Sequence, residues 1–162
     1  MQISPMTEAD FAAFWPCFQA IIAAQETYAF EPDLTQQQAY QLWCELPLQS
    51  WVAKDAEGQI LGSYYLKANA AGPGKHVCNC GYMVNPAAQG QGVASALCQH
   101  SQQQARAAGF YAMQFNSVVS SNHRAVALWQ RLGFRIVGTL PGAYRHPRLG
   151  LVDSYVMYKV LV

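Results

Sequence analysis

The first 46 residues place apolar side chains three and four positions apart, which is the spacing of amphipathic helices. Two start signals divide this region into two predicted helices. Thr7, followed three residues later by Asp10, forms a capping box, and Thr35 precedes a second helix that we expect to run to about residue 46. Pro16 is expected to kink the first helix or to restart it.

Strand character follows, because β-branched and aromatic residues then gather on both sides of short turns. The predicted strands cover residues 2–5, 50–55, 59–68, 76–84, 111–118, 134–140 and 152–160. Two more helices are predicted, one between Asn85-Pro86 and Gly109 and the other over residues 122–132. Hairpins that precede a strand–helix–strand unit and a closing hairpin predict an α+β fold with a mixed sheet. No repeat or linker divides the chain, so we expect one domain over residues 1–162.

Composition excludes several classes of protein. Apolar residues make up 52% of the 162 residues and charged residues 12%, a balance that argues against disorder. The net charge of +1 argues against a nucleic-acid-binding surface, which needs clustered Lys and Arg. No apolar run approaches the roughly 20 residues of a membrane span, and the first residues lack the layout of a signal peptide. We therefore expect a cytoplasmic protein that binds neither nucleic acid nor membrane.

Five cysteines, an odd and scattered set, favour free thiols over a disulfide framework. Cys78 and Cys80 stand two residues apart, but on a strand this spacing only places them on one face. No second Cys or His pair stands at zinc-binding spacing. We expect no metal site.

The segment VNPAAQGQGVASAL, residues 84–97, leads a strand into a glycine-containing turn and then into a helix. The first amides of a helix lack partners within it and carry partial positive charge, so such a turn can bind phosphate. Gly90 and Gly92 would let the main chain approach a bulky diphosphate, while Val93 and Ala94 would begin the helix with small groups facing the ligand. A loop that only reverses the chain is the alternative. The P-loop and dinucleotide-binding patterns are both absent, which argues against ATP and NAD.

The turn reads Gln-x-x-Gly-x-Ala, and about 30 residues later comes NHRAVALWQRLGFRIVG, an Asn, an amphipathic helix and then Gly-Phe. This pair of motifs resembles the GNAT superfamily of N-acetyltransferases, and the resemblance covers nearly the whole chain. It implies a central mixed, mostly antiparallel sheet, flanked by helices and splayed between its fourth and fifth strands. It also implies acetyl-CoA as the acetyl donor. The residues that would contact acetyl-CoA are Met83, Val84, Gln89, Gly90, Gln91, Gly92, Val93, Ala94, Asn122, Ala125 and Trp129.

Shorter segments resemble two groups within that superfamily. HVCNCGYMV, FNSVVSSNHRAVALWQRLGF and LVDSYVMYK are similar to the fungal acetyltransferases that detoxify proline analogues such as L-azetidine-2-carboxylate. The shared positions are Asn79, Asn116, Asn122 and Trp129. QETYAFEPDLT is similar to the bacterial phosphinothricin-type acetyltransferases, which acylate amino acids. Both resemblances imply that a small amino-acid-like amine attacks the thioester directly.

Acyl transfer to an amine needs hydrogen-bond donors for the carbonyl oxygen as it becomes negative. Main-chain N–H groups of Met83, Val84 or Asn85 are expected to supply them, and the carboxamide of Asn122 is expected to support the same charge. Asn79 is the second residue expected in catalysis, because alternation along the strand places it beside the acyl site.

Asn79 and Asn116 would also present carboxamides from neighbouring strands to the acceptor, enough to hold a carboxylate and an amine. A buried Asn bonded to main chain at a strand irregularity is the alternative for Asn79. Phe30 and Glu31 are expected to border the acceptor on one side. The resemblance implies that the hairpin carrying Arg145 borders it on the other side, and a solvated loop is the alternative for Arg145.

No acidic residue stands on these strands as a base, and His76, His123 and His146 are only nominal candidates because a surface position explains each of them. Trp129 occupies a position where many superfamily members carry Tyr, which is often assigned as the general acid for the departing thiolate. An indole N–H donates a hydrogen bond but does not ionise usefully, so Trp129 cannot protonate that group. Another group or water would have to serve.

Two rival interpretations stay open. Acetylation of a peptide or protein N-terminus would favour an open groove, whereas the aromatic residues Tyr28, Phe30 and Tyr144 indicate a closed pocket. A non-catalytic CoA-binding module is the other rival, because Trp129 replaces the usual acid. A homodimer is also open, since superfamily members often pair through exposed strands.

Overall fold

Seven strands form one sheet in the computed structural model, which describes residues 1–162. In chain order the elements are β1 (Gln2–Pro5), α1 (Glu8–Ala24), α2 (Gln36–Tyr40), β2 (Gln49–Lys54), β3 (Ile60–Ala68), β4 (Val77–Val84), α3 (Val93–Ala107), β5 (Ala112–Val119), α4 (His123–Arg131), β6 (Arg135–His146) and β7 (Gly150–Val160). The strands lie side by side in the order β1-β2-β3-β4-β5-β7-β6, and only β4 and β5 run parallel. The predicted α+β fold with a mixed, mostly antiparallel sheet is confirmed.

Both predicted helix starts in the first 46 residues are confirmed by their capping boxes. The Thr7 hydroxyl accepts a hydrogen bond from the Asp10 N–H at 3.1 Å, while the Asp10 carboxylate accepts one from the Thr7 N–H at 3.0 Å. Thr35 and Gln38 make the same reciprocal pair of bonds at the start of α2. The helix then continues as a wider π-helical turn over Gln41–Glu45.

α1 runs unbroken through Pro16, so the expectation that the proline restarts the helix is wrong. A proline removes one N–H donor from the helix, whereas one face of α1 is buried along its whole length. That face consists of Phe11, Phe14, Phe18 and Ile22. Continuous packing therefore holds the helix together through the proline.

The core has two apolar layers, one on each side of β3 and β4. α1 and α2 cover one side, where the buried cluster includes Phe18, Trp43 and Met83. α3 and α4 cover the other side, where Leu97 and Trp129 pack. None of the helices combines the length and the apolar character that a membrane crossing requires.

β4 and β5 pair over only two positions, Val77 with Ala112 and Cys78 with Met113. Because the strands run parallel and then separate, a gap opens toward their carboxyl ends. The expected splay between the fourth and fifth strands is confirmed. It creates the cleft described below.

β6 is longer than the predicted strand over residues 134–140, since it continues to His146. Gly142 has a φ of +59° at a register irregularity between Leu140 and Tyr144. Glycine adopts this left-handed conformation readily, so the strand absorbs the irregularity and pairs with β7 again.

Candidate active site

A cleft of about 430 Å³ lies where β4 and β5 separate. Its aromatic lining consists of Tyr28, Phe30, Tyr65, Tyr82, Phe115, Trp129 and Tyr144. The carboxamides of Asn79, Gln89, Asn116 and Asn122 also line it. The cleft therefore joins seven of the eleven predicted acetyl-donor residues to three of the five predicted acceptor residues, while Gly90, Gln91, Gly92 and Val93 lie outside its lining.

The glycine-containing turn forms an open cradle at one end of the cleft. Gly90 and Gly92 have φ values of +80° and +77°, a conformation that side chains disfavour. A Cβ atom added at either glycine would meet no protein atom within 4 Å. The shape of the turn, rather than crowding by the protein, therefore requires glycine here.

Main-chain donors at the start of α3 have no acceptors in the protein. The N–H groups of Gly92, Val93, Ala94 and Ser95 make no main-chain bond, and the first bond of the helix runs from Ala96 to Gly92 at 3.0 Å. No side chain caps this helix. Unpaired amides at an open helix N-terminus fit a diphosphate.

The Val93 side chain is buried against the core, so the expectation that it faces a ligand is wrong. Only its main-chain N–H is available to a ligand.

The main chain of β4 offers donors to the cleft at alternate residues. The Asn85 N–H donates to the Leu61 carbonyl at 2.8 Å, so it is already used. Antiparallel alternation directs the Met83 N–H toward β3 as well. The N–H groups of Val84 and Tyr82 lie at the intervening positions and point into the cleft. Of the three N–H groups predicted as donors, those of Met83 and Asn85 are therefore used in pairing with β3, and only that of Val84 is available to a ligand in the cleft.

Asn79 lies at the first position where β4 and β5 no longer pair, and it is 5% exposed. Its Nδ2 donates to the Gln114 carbonyl at 2.9 Å, and its Oδ1 accepts from the Tyr65 hydroxyl at 3.0 Å. The structure thus contains the buried, main-chain-bonded Asn considered above as an alternative. Asn79 also lines the cleft, with one N–H and one lone pair left over.

Asn122 begins α4 as its N-cap, as the motif predicts. Its Oδ1 accepts from the Ala125 N–H at 3.3 Å, which leaves the amide nitrogen for other partners. Both residues line the cleft. Trp129, on the same helix, is 8% exposed and packs its ring 5.0 Å from Tyr82 and 5.3 Å from Phe115.

Two of the three residues expected around the acceptor do not reach the cleft. Phe30 lines it and stacks on Tyr28 with ring centroids 5.3 Å apart. Glu31, the next residue, is exposed to solvent outside the lining. Arg145 is also exposed outside the lining, because alternation along β6 turns it away from the buried Tyr144. Tyr144, and not Arg145, is the residue of this hairpin that lines the cleft.

Tyr144 and Tyr28 close the acceptor end through a chain of hydroxyl donors. The Tyr144 hydroxyl donates to the Tyr28 carbonyl at 3.0 Å, and the Tyr28 hydroxyl donates to the Tyr82 carbonyl at 2.7 Å. Burial raises the pKa of Tyr28 well above its ordinary range, and the neighbouring Tyr65 adds to the shift. These phenols are therefore neutral hydrogen-bond donors at physiological pH.

Tyr65 is a cleft residue that the sequence did not single out. Its ring lies against Gly81, where an added Cβ would approach the Tyr65 Cε1 to 2.5 Å. Only glycine leaves room for the ring at this point. Burial raises the pKa of Tyr65 to about 12.

No Asp, Glu or His lines the cleft, so none of the three nominal histidines contacts it. His146 is buried, so a surface position is wrong for it. Its Nδ1 caps the β6–β7 turn and accepts from the N–H groups of Arg148 and Leu149 at 3.2 Å each. His, Cys, Asp and Glu side chains do not gather in any group of three that would suit a metal ion.

Lys67 is the one charged side chain in the lining, and it was also missed. It faces Asn79 directly in the β3–β4 ladder and follows Tyr65 by two residues, so all three share a face. Its Nζ lies 5.2 Å from the centroid of the Tyr65 ring. This alternation on β3 is the signal that would have identified Lys67 from the sequence.

Comparison with known families and structures agrees with this geometry. The model of the acetyltransferase (GNAT) family matches residues 12–134. The N-acetyltransferase aca1 of Schizosaccharomyces pombe is 33% identical over 103 residues, which are 63% of this chain and 49% of that protein. The chain thus spans about half the length of that relative.

Two solved structures are similar over nearly the whole chain. A GCN5-related N-acetyltransferase from Kribbella flavida has a TM-score of 0.94 and 46% identity, over 98% of this chain and 96% of that one. The yncA protein of Salmonella typhimurium, solved with its cofactor acetyl-CoA, has a TM-score of 0.84. Its identity is 21%, with 100% of this chain and 94% of that one covered, so this likeness concerns the fold.

Proposed function

Because the chain belongs to the acetyltransferase (GNAT) family, we propose that it transfers the acetyl group of acetyl-CoA to the amine of a small amino-acid-like acceptor. One observation carries the proposal. The cleft between β4 and β5 runs from the unpaired amides at the start of α3 to a pocket of aromatic rings and carboxamides.

Acetyl-CoA supplies an acetyl group that is activated as a thioester. The chain offers its diphosphate the N–H groups of residues 92–95, and each bond to a charged group contributes roughly 1.5–3 kcal/mol. Gln89 and Gln91 flank the turn. Farther along the cleft, the Val84 N–H and the Asn122 amide are donors suited to the negative charge that develops on a carbonyl oxygen.

The acceptor amine must be neutral to attack, and no base lines the cleft. Its proton therefore passes to water. Trp129 cannot protonate the departing thiolate, because an indole does not ionise usefully. A thiol with a pKa of about 8.5 leaves as thiolate without such help.

The acceptor end supports a small acceptor over a peptide. Tyr28, Phe30 and Tyr144 enclose it, and the hydrogen bond from the Tyr144 hydroxyl to the Tyr28 carbonyl ties its walls together. Asn79 and Asn116 offer donors and acceptors that suit both a carboxylate and an amine. The resemblance to enzymes that acetylate proline analogues supports the same class of acceptor.

An acceptor screen with acetyl-CoA and thiol detection tests this proposal. The panel contains L-azetidine-2-carboxylate, hydroxyproline, methionine sulfoximine and short peptides, with N-acetylated azetidine-2-carboxylate as the control that cannot react. We expect thiol release with at least one free amino-acid analogue, together with the mass of the acetylated product. Release with peptides only would assign the protein to N-terminal acetylation. Coenzyme binding without release for any acceptor would indicate a non-catalytic module.

A further inference from the structure

We propose that Lys67 binds the carboxylate of the acceptor, so that the enzyme selects amines that carry a free carboxylate beside the amino group. This inference rests on the proposed N-acetyltransferase function and specifies which acceptors that function admits. It assigns a substrate-binding role to a residue outside both sequence motifs.

The position of Lys67 places it at the acceptor end of the cleft. Its ladder partner Asn79 precedes Tyr82 by three residues and Val84 by five, which on a strand are roughly 10 and 16 Å, and the N–H groups of both residues point into the cleft. The unpaired amides of residues 92–95 follow beyond Val84. A cation at Lys67 therefore lies far from the diphosphate site and close to Asn79 and Tyr65.

The charge of Lys67 is not neutralised within the protein. The two ion pairs of the structure join Lys54 to Asp10 and Arg148 to Glu26. No carboxylate lines the cleft, so the ammonium is its only formal charge. Lys67 is exposed, so its ammonium is open to solvent and to a ligand, and the Tyr65 ring, 5.2 Å from Nζ, supports it from one side.

A second donor for the same carboxylate is held nearby by a chain of carboxamides. Asn116 donates from Nδ2 to the Asn69 Oδ1 at 2.7 Å and accepts at Oδ1 from the Gln114 Nε2 at 2.9 Å. These bonds fix the orientation of its amide and leave one N–H for a ligand. Asn116 and Lys67 both line the cleft.

The chemistry of this end discriminates between classes of amine. A free amino or imino acid places a carboxylate one carbon from the amine, so the ammonium and the amide can bind it while the amine faces the thioester. A peptide N-terminus carries a neutral amide at that position. A polyamine would bring a second positive charge toward Lys67 with no acid to receive it.

The test compares wild type, Lys67→Met and Lys67→Arg in the acetylation of L-azetidine-2-carboxylate and of its amide. Lys67→Met keeps most of the stem and removes the charge. We expect it to raise KM for the acid about ten- to hundredfold, the range for one charge-assisted hydrogen bond. kcat and the KM for the amide should change by less than about threefold. Lys67→Arg should keep the preference for the acid over the amide.

Lys75→Met is the matched control, since it removes the same charge from an exposed position outside the cleft. It should leave both KM values as in wild type. Calorimetric titration of azetidine-2-carboxylate into the CoA-saturated protein gives a readout without turnover, and Lys67→Met should weaken that binding by the same factor.

Two outcomes separate this inference from the function on which it rests. If Lys67→Met acetylates the acid with the wild-type preference over the amide, the role of Lys67 is overturned and the acceptor class stands. If wild type acetylates neither compound but acetylates a peptide, the acceptor class is wrong and the role of Lys67 falls with it.

Discussion

Asn79 donates from its side-chain nitrogen to the main-chain oxygen of Gln114, 2.9 Å away, at the first position where β4 and β5 stop pairing. The same carboxamide accepts from the Tyr65 hydroxyl. A side chain thus takes the place of a missing main-chain bond and fixes the point at which the cleft begins.

Asn79→Ala is therefore expected to destabilise the protein. The change leaves two partly buried partners without a hydrogen bond, which should lower the free energy of unfolding by about 1–3 kcal/mol. Chemical denaturation measures it. Asn116→Ala is the control, because its bonds are exposed and its loss should stay within about 0.5 kcal/mol. Equal losses in both variants would contradict a bridging role for Asn79.

Gly92→Ala should weaken CoA binding by more than its effect on stability explains. A left-handed conformation costs a non-glycine residue about 1–2 kcal/mol, and relaxing it would turn the adjacent amides away from the diphosphate. Gly58→Ala is a close control, since Gly58 has a φ of +82° and equally open surroundings in the β2–β3 turn. Both variants should lose similar stability, while only Gly92→Ala loses affinity for CoA in calorimetry. Equal CoA affinities would remove the turn from the binding site.

Asn122→Asp should separate helix capping from catalysis. A carboxylate accepts from the Ala125 N–H as the carboxamide does, so the unfolding temperature should stay near that of wild type. The variant has no amide donor and adds negative charge, which should lower kcat about tenfold or more. Asn122→Ala should lose both properties. An Asn122→Asp enzyme with unchanged kcat would show that the amide stabilises no developing charge.

Around neutral pH, the pH dependence of the reaction should follow the acceptor amine and not a base in the protein. No carboxylate or imidazole lines the cleft, so kcat/KM should rise about tenfold per pH unit until the amine itself loses its proton. Rate profiles for two acceptors of different amine pKa test this. Their inflections should differ as the amine pKa values do, and a shared inflection near neutral pH would indicate a base in the protein.

Stability should decline in alkaline solution. Burial raises the pKa of Cys17 and of Cys44 to about 11, from about 9 in the unfolded chain. The neutral thiols favour the folded state fully below pH 9, and this contribution is lost as pH rises toward 11. Thermal unfolding across this interval should show a smaller decline for Cys17→Ala/Cys44→Ala than for wild type. An identical decline would place the titrating groups elsewhere.

Features that depend on neighbours in sequence could be predicted. Each capping box joins residues three positions apart, and the glycine turn and the Asn122 cap are equally local. The alternation that placed Asn79 on the cleft side of β4 is local as well. The separation of β4 and β5 could be predicted only from the resemblance to the family, because no local pattern in the sequence indicates it.

Features that depend on contacts between residues distant in sequence could not be predicted. Pro16 is tolerated because the buried face of α1 packs on residues far along the chain. The hydrogen bonds of Asn79 and Tyr144 reach partners 35 and 116 residues away. The resemblance implies a hairpin at the acceptor but not which of its side chains face it, because the irregularity at Gly142, which sets the facing of Tyr144 and Arg145, leaves no periodic signal.

Calorimetry of CoA and of pantetheine, which lacks the diphosphate, tests most directly whether the main-chain amides of residues 92–95 form the coenzyme site. CoA should bind, and pantetheine should bind at least about a hundredfold more weakly, as expected from the loss of two charge-assisted bonds. The absence of CoA binding to the folded protein, or equal affinities for the two compounds, would contradict this account.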